Sequence, residues 1–125
     1  MIDFSKFEKK TGISLKDKDL LKQAFTHRSY VNENKADSLV HNERMEFLGD
    51  AVLELVVTEY LYSKYPNATE GDLTSYRSAL VNANTLSKVA RDLDINEYLL
   101  LSKGEAKDEG RARLYILANT IEAII

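Results

Sequence analysis

Residues Asn42–Val57, NERMEFLGDAVLELVV, decide how this chain is read. Glu43, Glu46 and Asp50 stand at i, i+3 and i+7. At about 100° per residue, an α-helix gathers their Cβ vectors within about 60° of one another. Met45, Phe47, Leu48, Val52, Leu53, Leu55 and Val56 make most of the remaining circumference apolar. Such a helix is expected to be mostly buried, and a buried carboxylate is costly unless it is paired or binds a cation. Three acids at helical spacing also describe an ordinary solvated face. Against that stand the apolar surround and a second polar pair, Asn119 and Glu122 at i and i+3, on another apolar segment. Two such stripes meeting would assemble an all-oxygen site, suited to Mg²⁺, Mn²⁺ or Ca²⁺ rather than zinc.

Outward from this stretch the chain reads as all-α, with a single proline, Pro66, and few alternating β-branched runs. A short helix over Phe4–Lys10 is stopped by Gly12. Ser14 caps a second through about Phe25, with Leu20, Leu21 and Ala24 inward. THRSYVNENKADSLVHN is a long polar loop holding at most one helical turn. The acidic helix runs from about Asn42 to Tyr65. Gly49 inside it costs about 1 kcal/mol relative to Ala, which marks either a close approach by another backbone or by a partner, or a tolerated glycine. Thr69 and Asp72 form a capping-box pattern for a helix over Glu70–Val81, with Leu73, Tyr76 and Leu80 inward. Asn84 is placed to cap a helix carrying Leu86, Val89, Ala90 and Leu93. Ile95–Leu101 is a short apolar helix, Lys103–Arg113 a mixed-charge loop or helix start, and Leu114–Ile125 a final apolar helix. About seven helices around a long buried one are expected.

The 125 residues suffice for one domain with a core. With 44% hydrophobic and 30% charged residues the chain is globular rather than disordered. It has no cysteine, which excludes disulfides and thiolate metal sites. The N-terminal MIDFSKFEKK lacks an apolar signal core, and no apolar run reaches about 18 residues. A cytoplasmic protein without a membrane partner is expected. The net charge of −3 argues against nucleic acid only where the acids are not metal ligands.

Rival chemistries fail on the residues. A di-iron site needs Glu-x-x-His on two helices, whereas His27 and His41 fit no such pattern. H-E-x-x-H, a P-loop and a G-x-S-x-G elbow are absent. Cation-assisted displacement at phosphorus remains. At this point ERMEFLGDAVLELVV resembles the signature of the ribonuclease III catalytic domain. AFTHRSY before it, and EGDLTSYRSALV and ILANTIEAII after it, are similar to the family in order and spacing, from about Ala24 to Ile125.

The resemblance implies that Glu46, Asp50 and Glu122 ligate a catalytic Mg²⁺, with Mn²⁺ able to substitute, Asp50 and Glu122 being central to catalysis. Glu43 and Glu70 would support RNA contact or the dimer, and Phe47 would enter a pocket on a partner subunit. Asn119 stands where the family usually has Asp, so the metal set loses one negative charge but keeps a carbonyl oxygen. Glu54 lies on the same face and reads as a solvated or ion-paired acid. Arg28, Arg77, Lys103, Lys107, Arg111 and Arg113 are candidate phosphate contacts or plain surface charges.

The expected function is hydrolysis of double-stranded RNA by a homodimer, leaving 5′-phosphate and 3′-hydroxyl ends, in rRNA or mRNA processing. No small-molecule cofactor is implied. The alternative is an inactive domain of the same fold that binds duplex RNA without cutting, which Asn119 alone favours. Residues 1–125 read as one catalytic domain without a double-stranded-RNA-binding domain. The uncapped Ala-Ile-Ile ending reads as a truncation of a longer chain.

Overall fold

The computed structural model describes residues 3–125, so Met1 and Ile2 of the charged leading segment lie outside it. Helix α1 (Ser5–Thr11) ends at Gly12, whose φ of +74° lets its N–H reach the Glu8 carbonyl at 2.9 Å. Helix α2 (Lys18–Ala24) begins later than Ser14 would place it. Leu15 packs on the core, and Asp17 is the cap, accepting from the Asp19 and Leu20 amides at 3.0 and 3.3 Å. The polar segment holds a real helix, α3 (Arg28–Glu33), started by His27, whose Nδ1 accepts from the Ser29 amide.

Helix α4 (Glu43–Lys64) is the acidic helix, and α5 (Glu70–Leu80) opens with the expected Thr69–Asp72 capping box. Asn82, not Asn84, caps α6 (Ala83–Asp92). Its Oδ1 accepts from the Thr85 amide at 2.9 Å, while its Nδ2 donates to the carbonyls of Ser78 and Ala79 at the end of α5. A 3-10 turn (Ile95–Tyr98), α7 (Lys103–Lys107) and α8 (Arg111–Ile124) complete the chain. Among the described residues the only extended pairing is a single bridge between Thr26 and Leu100. The all-α expectation holds, with eight α-helices among the described residues where about seven helices were expected.

The core lies to one side of α4. Phe7, Leu21, Phe25, Ala90, Ile95, Tyr98, Leu117 and Ile121 form it, and the rings of Phe4, Phe7, Phe25 and Tyr98 meet stacked, tilted or edge-on at 5.3–5.9 Å. Each large apolar side chain buried there contributes about 1.5–3 kcal/mol. The buried helix is α8, which packs chiefly on α4 and α6 and is enclosed along most of its length. The expectation of a buried acidic helix is corrected: in the single chain only Gly49 and Leu61 of α4 are buried. Phe47 is 82% exposed, and Leu48, Leu55 and Val56 are exposed with it. An apolar pattern states what a helix should bury, not which element covers it, and here α8 and α5 cover only part of the circumference.

Three inward assignments change for the same reason. Leu20, Tyr76 and Leu80 are exposed, because α2 and α5 each meet neighbours along a narrow stripe. Arg113 is also corrected. It is 3% exposed and cannot meet RNA. Its guanidinium donates to Asn96 Oδ1 at 2.8 Å and to the carbonyls of Glu105 and Ala106, tying α7 and the 3-10 turn to α8.

Candidate active site

The crossing of α4 and α8 positions the acids. A Cβ built on Gly49 would stand 1.6 Å from the Glu122 carbonyl oxygen and 2.6 Å from its carbonyl carbon. Only a residue without a side chain permits this approach, so the sequence reading of a glycine placed for another backbone is the correct one. The crossing puts Glu122 beside Asp50, the residue that follows Gly49.

Glu43, Glu46, Phe47 and Asp50 of α4 and Asn119 and Glu122 of α8 line one open cleft of about 580 Å³. Six of the seven residues singled out in the sequence therefore come together. Glu70 does not join them. It borders a separate pocket of about 250 Å³ between α4 and α5, with Leu61, Leu73 and Arg77.

The cleft is electrostatically unbalanced. Glu122 is 9% exposed. Its carboxyl pKa is pushed up to about 8, first by burial, then by hydrogen bonding and charge from Asp50, and further by Glu46 and Glu54. Glu46 is raised by burial and by the charges of Glu43 and Asp50. Glu43 meets Arg28 at 3.5 Å, an exposed pair worth little in water. Among the described residues no lysine or arginine pairs with Glu46, Asp50 or Glu122. The lining thus offers hard oxygen donors with uncompensated negative charge, which is what an oxygen-seeking divalent cation requires. As placed, no three His, Asp or Glu side chains among the described residues converge as a ready metal cage. The donor chemistry fits such a cation, with Glu46, Asp50, Asn119 and Glu122 the lining residues that would hold it.

The basic candidates divide. Lys103, Lys107 and Arg111 are exposed, with Arg111 lying over the Tyr115 ring. Among the described residues Arg77 pairs with no acid; its guanidinium donates to Thr58 Oγ1 at 3.0 Å. Glu54 is exposed and contributes charge to Glu122 rather than an ion pair. Sequence reasoning missed Asn42, which is 4% exposed directly before α4. Its signal was an asparagine at a helix start, and that reads as a cap, a role its side chain does not take here.

Residues 17–125 match a family model described as Ribonuclease-III-like. The chain is 48% identical over its full length to the ribonuclease 3 of a Nitratiruptor species, covering 53% of that protein. To the ribonuclease 3 of Streptococcus pneumoniae it is 50% identical over 114 residues, covering 91% of this chain and 49% of that one. It spans about half the length of the curated relatives it matches. Among solved structures, the nuclease domain of ribonuclease III from Campylobacter jejuni superposes with a TM-score of 0.87 at 41% identity, over 98% of this chain and 81% of that one. A Dicer from Pichia stipitis gives 0.62 at 31% identity, over 90% of this chain and 46% of that one.

Proposed function

The chain belongs to the ribonuclease III family, and from that premise we propose that its domain hydrolyses double-stranded RNA, with Mg²⁺ or Mn²⁺ held by Glu46, Asp50, Asn119 and Glu122. One observation carries the reading: acids from two helices share a cleft in which, among the described residues, no lysine or arginine pairs with Glu46, Asp50 or Glu122. A bound divalent cation would supply acidification of a water and neutralisation of charge on the phosphate.

The residues themselves supply placement. Gly49 sets the distance between the two acid-bearing helices, and burial of Glu122 fixes that carboxyl against the exposed Asp50. In the hydrolysis, a water oxygen bonds to phosphorus and the bond from phosphorus to the 3′ oxygen breaks. The 3′ oxygen takes up a proton, leaving 3′-hydroxyl and 5′-phosphate ends. Asn119 contributes a neutral oxygen, so the charge opposing phosphate is one less than an Asp would give.

The reading extends to a homodimer. Phe47, Leu48, Leu55 and Val56 leave an apolar face on α4 beside the cleft. The C. jejuni nuclease domain shows structural flexibility in a region involved in its dimer formation. A two-fold pair suits A-form RNA, which is read by shape across its wide minor groove. Glu70, remote from its own cleft, would then serve the partner's cleft or the RNA. The similarity to bacterial ribonuclease 3 proteins supports a cytoplasmic role in rRNA or mRNA processing.

The test is labelled duplex RNA with and without Mg²⁺, with Glu122→Gln beside the parent. Metal-dependent cutting lost in the variant supports the proposal. Duplex binding without cutting by the parent would favour the inactive domain that Asn119 suggests, and absence of both would end the nucleic-acid reading.

A further inference from the structure

Helix α4 is held at Gly49, but Glu43 and Glu46 lie most of a turn or more before that crossing, next to the long segment 34–41. What fixes this end is Asn42. Its side chain makes no cap, although asparagine is among the preferred capping residues. Instead its Nδ2 donates to the Ala24 carbonyl at 2.8 Å. Its backbone N–H donates to the Thr26 carbonyl at 3.0 Å, and its own carbonyl accepts the Glu46 amide at 2.9 Å. Asn42 therefore joins the backbone of an acid in the cleft directly to the linker 24–26.

That linker is a firm anchor. Phe25 and Thr26 are fully buried. The Phe25 carbonyl accepts the Leu100 amide, and His27 N–H returns a bond to the Leu100 carbonyl. Thr26 Oγ1 closes on the Lys22 carbonyl at 2.7 Å. Gln23 Nε2 reaches the His41 carbonyl at 3.3 Å, adding a second tie just before α4.

We propose that Asn42 is a positioning residue for the acid cleft, setting the start and rotation of α4 so that Glu46 is held toward Glu122 of α8 across the cleft. The proposal rests on the reading of the cleft as a cation-dependent site. Residues that orient ligands from behind change metal affinity by about 10–100-fold when mutated, so their effect is visible without any RNA.

The experiment compares the parent, Asn42→Ala and Ile95→Val, a core change remote from the cleft that lowers stability modestly. Mn²⁺ binding is measured by calorimetry well below each melting temperature, and exchange of the Glu46 amide is followed in the metal-free proteins. Duplex cleavage is assayed in parallel. Expected is a loss of Mn²⁺ affinity of about tenfold or more in Asn42→Ala, with faster Glu46 exchange, neither appearing in Ile95→Val. Affinity within about twofold of the parent, or an equal loss in Ile95→Val, overturns the proposal. So does a parent that binds no Mn²⁺. A parent that binds Mn²⁺ with the expected Asn42 effect yet cuts no duplex refutes the ribonuclease reading and leaves the positioning role standing. Should Asn42→Ala not fold, Asn42→Ser, which keeps both backbone bonds but cannot span to Ala24, is judged by the same outcomes.

Discussion

Gly49→Ala tests the geometry of the cleft most directly. The added methyl would meet the Glu122 carbonyl oxygen at 1.6 Å, and contacts under 3.0 Å do not persist in folded proteins. The obstacle is backbone, so α4 and α8 must part by at least about 1.4 Å at their crossing. Helix propensity alone would favour alanine by about 1 kcal/mol, whereas overpacking costs about 1–3 kcal/mol or more when backbone must shift. The net expectation is a loss of up to about 2 kcal/mol, or roughly up to 8 °C in melting temperature for a domain of this size. A displacement of about 1 Å at a reacting centre costs about 100-fold in rate, so cleavage at saturating Mg²⁺ should fall at least that far. Gly71→Ala is the internal control, since its methyl would find only Thr69 Oγ1 at 3.8 Å; it should be neutral or slightly stabilising. Denaturation monitored by circular dichroism and single-turnover cleavage read both quantities. If Gly49→Ala gains stability as Gly71→Ala does and cuts at the parent rate, the reasoning about the crossing is wrong.

Three further outcomes are expected. Burial and the neighbouring Asp50 push the Glu122 carboxyl up to about 8 in the folded chain against an ordinary 4.5, so its contribution to stability is complete below the ordinary value and is lost as pH rises from there to about 8; in chelator the parent's melting temperature should decline between those two values more steeply than that of Glu122→Gln, and equal slopes would contradict the assignment. Asn119→Asp adds a carboxylate to a cleft already short of positive charge, so it should lower the melting temperature in chelator and also lower the Mg²⁺ concentration needed for half-maximal cleavage; unchanged Mg²⁺ dependence would remove Asn119 from the ligand set. Leu55→Lys places a charge on the exposed face of α4; sedimentation should show self-association weakened at least about 100-fold, roughly 3 kcal/mol for an unpaired charge at an interface, and an unaltered profile would move the dimer contact elsewhere.

Local pattern carried much of this fold. The Thr69–Asp72 capping box, the Gly12 stop and the long α4 follow from interactions spanning a few residues, which a short window of sequence contains. The cap of α6 is Asn82 and not the expected Asn84, although both residues of VNAN are chemically competent; the one that also closes α5 takes the role. Helix α3 was hidden by its polarity and brevity. The acid stripe on α4 was visible, and the family resemblance supplied its partner on α8. Exposure was not legible. Phe47 and Leu55 look like core residues in any window, and only the packed chain reveals that the described residues leave them exposed. Arg113 failed in the opposite direction, since its burial depends on carbonyls from α7 that no periodicity announces.

The origin of the core residues bears on how the chain is made. Phe7, Leu21 and Phe25 come from the first elements, while Leu117 and Ile121, which close over them, belong to the last helix. At about 5–20 residues per second of synthesis, roughly 5–20 s separate the two groups. Until α8 arrives, the early aromatics lack their lid and Gly49 has no backbone to receive. The same helix then seals the interior and brings Glu122 to Asp50, so core closure and assembly of the acid cleft fall in one step. A half-translated chain possesses neither.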